Sequence, residues 1–190
     1  MKIKSVLLVI VSLLVAGSLR AQNTDGATWS FELGGGVNAM YDSGKLLVGP
    51  SAHLGVLLWA MPQVGFRVVG QVGSCPGMKG NDRWPFGDNF LRAGLSLDVL
   101  WDVINTFSTT YQGRYHVQPY ARIQNIIAYG NKEAAFVLGI APGIRQTFSL
   151  SEHWSVLLDG SAILFKEKDW TGGDGRLGFV QVYAGMVYNL

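Results

Sequence analysis

The sequence predicts an all-β fold, an eight-stranded antiparallel up-and-down β-barrel of the transmembrane type. Three observations lead there: period-two alternation in eight successive segments, segment lengths of about 10 to 14 residues, and aromatic residues gathered at one end of every segment. Side chains on a strand point alternately to opposite faces, so a run with one greasy and one polar parity is a strand with two different environments. Strands of soluble sheets average about five or six residues, whereas a tilted membrane-crossing strand needs about 9 to 11.

The first segment is Trp29 to Tyr41, with Glu32 and Asn38 on its polar parity, and the second is Leu47 to Trp59, with Ser51 and His53. The Gly34-Gly35-Gly36 run lies inside the first alternation with no helical pattern after it, which favours close strand packing over a nucleotide loop. The third segment sets Val64, Phe66, Val68, Gly70 and Val72 against Gly65, Arg67, Val69, Gln71 and Gly73. In the fourth, Leu91, Ala93, Leu95, Leu97, Val99 and Trp101 oppose Arg92, Gly94, Ser96, Asp98 and Leu100. The fifth, Tyr115 to Tyr129, carries Arg122 and Gln124, and the sixth, Phe136 to Phe148, carries Arg145. Pro142 is central in the sixth and lacks a ladder donor, so it predicts a bulge or an interrupted ladder bond there. The seventh sets Trp154, Val156, Leu158, Gly160, Ala162 and Leu164 against Ser155, Leu157, Asp159, Ser161 and Ile163, and the eighth runs from Leu177 to Leu190 with Gln181, Tyr183 and Asn189.

Between segments, Ala60 to Gln63 and Leu150 to His153 are short, while Cys75 to Asn89 and Glu167 to Arg176 are longer and polar. Short inner turns and longer outer loops are the pattern of membrane barrels, although Asp102 to Arg114 is a long connection on the short side. Alternate strand ends share one membrane surface, and lining them up gives Trp29, Trp59, Phe66, Trp101, Tyr115, Phe148, Trp154 and Tyr188. Such a ring is expected of an interfacial aromatic girdle. The opposite ends offer Tyr41, Phe90, Tyr129, Phe136, Phe165 and Phe179.

Composition excludes other classes. The chain has 190 residues, 48% hydrophobic and 15% charged, with 25 glycines and one cysteine, so neither disorder nor a disulfide scaffold fits. Lys2 and Lys4 precede an apolar run from Val6 to Ala16, which leads into small residues ending at Ala21. That layout is a secretory signal peptide over residues 1–21, too short for the roughly 20 apolar residues of a membrane-spanning helix. The remaining 22–190 form one barrel domain with twelve cations and thirteen acids, a net charge of −1 that excludes a nucleic-acid-binding field.

The final parity Val180, Val182, Ala184, Met186, Tyr188 and Leu190 resembles the terminal insertion signal of outer-membrane barrels, with Leu190 where that family usually has phenylalanine. The stretch Asp98 to Tyr120, with Leu100-Trp101, Asn105, Phe107, Tyr111, Gly113-Arg114 and Val117-Gln118-Pro119-Tyr120, resembles the middle of small Bacteroidetes outer-membrane barrels. In size and strand number the chain is similar to OmpA/OmpX-type barrels. The resemblance implies an outer-membrane address with both termini periplasmic, and outer-membrane lipid and the assembly machinery as partners.

The polar parity defines the candidate site: a lumen network of Glu32, His53, Arg67, Gln71, Arg92, Asp98, Arg122, Arg145 and Asp159. Charges confined in an eight-stranded lumen are costly unless paired, so an ion-pair and hydrogen-bond network closing the interior is expected. The alternative is a narrow gated pore in which arginines change partners. A further alternative turns the apolar parity inward, giving a secreted, soluble, lipocalin-like barrel for a small ligand. Ser51, His53 and Glu32 share a face, as a lipid-modifying enzyme would need, but adjacency on strands supplies only the positions, and no catalytic assignment follows. No metal-ligand spacing or cofactor motif occurs. Trp84 and Phe86 in the third loop and Trp170 in the last mark a candidate surface for an extracellular ligand or protein, and lone Cys75 faces oxidising surroundings.

Overall fold

The computed structural model describes residues 28–42, 45–76, 89–107, 114–130, 133–166 and 176–190. Eight strands form in chain order: β1 (Thr28–Asp42), β2 (Lys45–Met61), β3 (Val64–Pro76), β4 (Asn89–Trp101), β5 (Tyr115–Gly130), β6 (Glu133–Ser149), β7 (Trp154–Lys166) and β8 (Arg176–Asn189). Each pairs antiparallel with its sequence neighbours, and β1 pairs with β8 from Ser30↔Asn189 to Met40↔Phe179, closing the barrel. Closure leaves no sheet edge, as a lipid-embedded strand structure requires. β3 extends through Cys75 and Pro76, which the sequence reading placed in the following loop.

At the end of the barrel where the chain enters β1, two of the three connections are tight. Pro62 and Gln63 turn β2 into β3, with a register shift between Trp59 and Met61. Leu150 N–H and Ser151 N–H both donate to Trp154 O, at 2.8 and 3.1 Å, closing the turn from β6 to β7. The long connection after β4 contains one helical turn, α1 (Val103–Phe107), capped by Asp102, whose Oδ1 accepts from Asn105 N–H at 3.0 Å. Asn105 Nδ2 also donates to Pro62 O at 3.0 Å, tying α1 to the neighbouring turn.

Pairing of β6 with β7 keeps one register from Ile140↔Leu164 to Gly143↔Ser161 but lapses at Ala141 and Pro142. The central proline thus interrupts the ladder without a bulge.

The two faces are inverted relative to a water-soluble barrel. Leu33, Leu54, Leu97, Ile123, Ile140 and Leu158 are exposed on the outside, whereas Glu32, Arg67, Asp98, Arg122, Arg145 and Asp159 are buried inside. The soluble, lipocalin-like alternative required the opposite assignment and is overturned by this distribution. No helix among the described residues is long and apolar enough to cross a membrane.

Candidate functional site

The lumen is layered along the barrel axis. Its middle layer is an ion-pair network centred on Arg67 of β3. Arg67 Nε donates to Asp98 Oδ2 at 2.7 Å, and its NH1 donates to Glu32 Oε1 at 3.0 Å and to Asp159 Oδ2 at 2.7 Å. Asp98 also accepts a two-pronged pair from Arg122, at 2.7 and 2.8 Å. Arg145 NH2 lies 3.3 Å from Glu32 Oε2, and its NH1 donates to Gln118 Oε1. Three carboxylates thus face three guanidinium groups, the matching that buried charges need.

Tyr120 completes this layer. Its hydroxyl donates to Asp159 Oδ1 at 2.6 Å, and the guanidinium carbons of Arg67 and Arg122 stand 4.7 and 5.0 Å from its ring centroid. Room for the ring comes from Gly143, its cross-strand partner, where a Cβ would collide with Tyr120 Cζ. The sequence signal for Tyr120 was available, since it shares parity with Arg122. Gly34 performs the same service for His53, whose Nε2 is 3.5 Å from Glu32 Oε1 and whose ring meets Tyr183 edge-on at 4.6 Å.

Next along the axis lies an amide layer. The Gln181 amide is within hydrogen-bonding distance of Gln71 Oε1 (2.9 Å), Asn38 Oδ1 (3.2 Å) and the Tyr183 hydroxyl (3.0 Å), and turned over, its oxygen accepts from Arg92 NH1 at 3.0 Å. Arg92 donates to Asn38 Oδ1 and stacks on Phe179, 5.3 Å from the ring centroid. Beyond this layer the lumen is apolar, filled by Met40, Ile126, Val137, Ile163 and Phe179. Phe179, expected in the second aromatic ring, instead shares parity with Gln181 and points inward. The space between Glu32, His53, Arg67, Gln71, Asp159 and Tyr183 is too tight to admit a water molecule.

All nine residues named for the lumen network are therefore inside and buried. The Ser51, His53 and Glu32 set lacks its first link: Ser51 Oγ has no hydrogen-bond partner among the described residues. No group of three or more potential metal ligands occurs among the described residues.

The inner-end aromatics divide. Trp101, Tyr115 and Trp154 are exposed on the outer face, and Trp29 and Tyr188 are half-buried on the same face. Tyr188 packs on Trp154 at 4.9 Å, Trp101 Nε1 donates to Thr106 Oγ1 at 2.7 Å, and Tyr115 OH donates to Gln146 Oε1 at 2.9 Å. Trp59 is a correction. It shares parity with His53 and Leu57, so it faces the lumen and packs on Leu57, Leu100 and Tyr120 rather than joining the outer girdle. Of the terminal stretch, Tyr188 and Leu190 lie on the outer parity, and Leu190 N–H donates to Trp29 O at 3.0 Å. Trp84, Phe86 and Trp170, the side chains of Tyr41, Cys75, Phe90, Tyr129 and Phe165, and the signal segment 1–21 lie outside the described residues.

At the turn end the lumen opens into a vestibule of about 430 Å³ that the sequence reading did not anticipate. On its wall, Asp102 Oδ2 lies 2.8 Å from His116 Nδ1 and accepts from Gln118 Nε2 at 3.3 Å. Burial pushes the Asp102 carboxyl up, but the hydrogen bonds from His116, the Asn105 backbone and Gln118 outweigh this and hold it below the usual carboxylate range.

With this geometry in place, comparison with solved structures identifies the fold. It is similar to Neisserial surface protein A, at 14% identity over 86% of this chain and 99% of that one, with a TM-score of 0.57. A major outer membrane protein from Thermus thermophilus is similar at 15% identity over 87% of this chain and 100% of that one, with a TM-score of 0.53. Ail, the attachment invasion locus protein of Yersinia pestis, is similar at 13% identity over 87% and 99% of the two chains, with a TM-score of 0.50. The fold is thus the closed eight-stranded barrel found in outer-membrane proteins. No family model matches the chain, and no curated protein matches it by sequence.

Proposed function

We propose that this chain is an integral outer-membrane protein with a closed lumen, acting as a structural or surface-interacting barrel rather than a conduit. One observation carries the reading: large apolar side chains cover the outside while six matched charges are sealed within. In lipid, that arrangement satisfies both faces, whereas in water it would expose a continuous apolar belt. The terminal parity through Tyr188 and Leu190 supports recognition by the assembly machinery, and the basic-then-apolar start supports export by a cleaved signal peptide. Both termini and the tight turns then face the periplasm, and the loops carrying Trp84, Phe86 and Trp170 face outward to meet an extracellular ligand or protein. The stretch Asp98 to Tyr120 supports kinship with small Bacteroidetes barrels.

The test uses membranes of an outer-membrane host. The protein is expected to stay with carbonate-washed membranes and to shift in gel mobility between unboiled and boiled samples. Release into the soluble fraction without a shift would overturn the reading. A closed lumen further predicts no single-channel conductance in planar bilayers. Opening on Arg92→Ala or Asp98→Ala without loss of the boiled shift would favour the gated pore instead.

A further inference from the structure

The vestibule is a cavity of small-molecule size, inside the usual range of about 300–1,000 Å³. Its charges are largely committed to one another. Asp102 has its oxygens occupied by Asn105 N–H (3.0 Å), Asn105 Nδ2 (3.3 Å), Gln118 Nε2 (3.3 Å) and His116 (2.8 Å). Arg145, 2% exposed on the floor, is neutralised by Glu32 at 3.3 Å and held by Gln118, which bridges it to Asp102. A charged ligand therefore finds neither an open carboxylate nor an open guanidinium on the floor, and Glu152 is an exposed rim residue. Hydrogen-bonding capacity remains. The hydroxyls of Ser30, Thr147 and Ser155 and the amide of Asn189 line the same space; Ser30 Oγ donates to Asn189 Oδ1 at 2.8 Å and Asn189 Nδ2 to Ser155 Oγ at 3.5 Å, and a hydroxyl oxygen with two lone pairs accepts further bonds beyond these. The half-buried indole of Trp59 lines the same cavity.

We infer that the vestibule is a binding site for a neutral saccharide unit, with Trp59 as its apolar platform and the surrounding hydroxyls and the Asn189 amide as its polar contacts. Sugar hydroxyls both donate and accept, which suits a lining of hydroxyls and amides, and the C–H face of a pyranose lies against an aromatic ring as other apolar surfaces do. The site opens on the tight-turn side, so under the orientation proposed above a cell-wall glycan is the source within reach. That source assignment rests on the membrane reading, whereas the saccharide chemistry does not.

The experiment is saturation-transfer NMR and calorimetry on the full mature chain refolded in detergent, with chitotriose and maltotriose as probes. The gel shift on boiling is recorded for every sample, so failure to form the barrel is separated from failure to bind. Saturable binding is expected, at least tenfold weaker in Trp59→Leu, which keeps an apolar side chain against Leu57 and Leu100, and in Ser155→Phe, which fills the cavity. Should Ser155→Phe fail to fold, Trp59→Leu decides alone. Binding of chitotriose but not maltotriose supports the cell-wall source, and equal binding supports the shared saccharide chemistry alone. No saturable binding of either sugar by a heat-shifting barrel, or binding unchanged in Trp59→Leu, overturns the inference.

Discussion

Arg67 is the residue on which the buried charges converge, since it touches Glu32, Asp98 and Asp159 from three other strands. Removing one member of a buried ionic cluster leaves its partners desolvated and unmatched, which typically costs about 3–5 kcal/mol. Arg67→Ala is therefore expected to lower the free energy of urea unfolding in detergent by about that amount. Loss below about 1 kcal/mol, the range of exposed pairs, would show the cluster to be hydrated. Asp102 makes a different residue-scale prediction. A carboxyl held below its ordinary value contributes stability that is fully present above the unfolded-state pKa, about 3.9, and is lost as pH falls through the folded value. Asp102→Asn should thus be less stable than the parent at pH 7, and the gap should narrow as pH drops below about 4. A gap independent of pH in denaturation curves would show that Asp102 acts through shape alone.

At the scale of the strand, Pro142 marks the weakest seam, because the β6 to β7 ladder lapses where that residue has no N–H to donate. Pro142→Val is expected to restore a ladder bond donated to β7 and raise unfolding free energy by about 1 kcal/mol, with the amide gained at position 142 protected against exchange. Fast exchange of that amide would mean that the strand spacing, not the proline, keeps the seam open. This lapse was legible in the sequence, as were the eight strands and the inward set from Glu32 to Asp159, because period two sorts every side chain without knowledge of its neighbours. Trp59 and Phe179 were misplaced when position near a strand end was read ahead of parity, although each shares parity with a lumen residue, His53 and Gln181. The partners themselves were not legible. Contacts such as Arg67 to Asp159 cross the lumen between strands that are not hydrogen-bonded to each other, so they depend on how far the strands are staggered around the closed barrel. The vestibule was hidden for a related reason, since it is assembled from ends of several strands and the α1 connection, where alternation stops carrying information.

For the whole molecule, the distribution of apolar surface separates lipid from water as the surrounding medium. Leu97 is 56% exposed on the outer face of β4, while Leu100, on the opposite parity three residues on, is fully buried in the lumen. If water surrounded the barrel, Leu97→Arg would be an ordinary surface substitution, changing stability by no more than about 0.5 kcal/mol. In a bilayer the same change places a cation in the hydrocarbon belt, costing about 2–4 kcal/mol near the midplane and less toward the interfaces. The expected outcome is therefore a marked loss of folded, heat-shifting protein in lipid vesicles for Leu97→Arg. Leu46→Arg, also on the outer face but beside the loop end of β2, should lose much less. Because both positions are exposed leucines with similar accessibility, 56% and 64%, a difference between them reports depth in lipid rather than burial in protein. Equal tolerance at the two positions would mean that no hydrocarbon belt surrounds the strands.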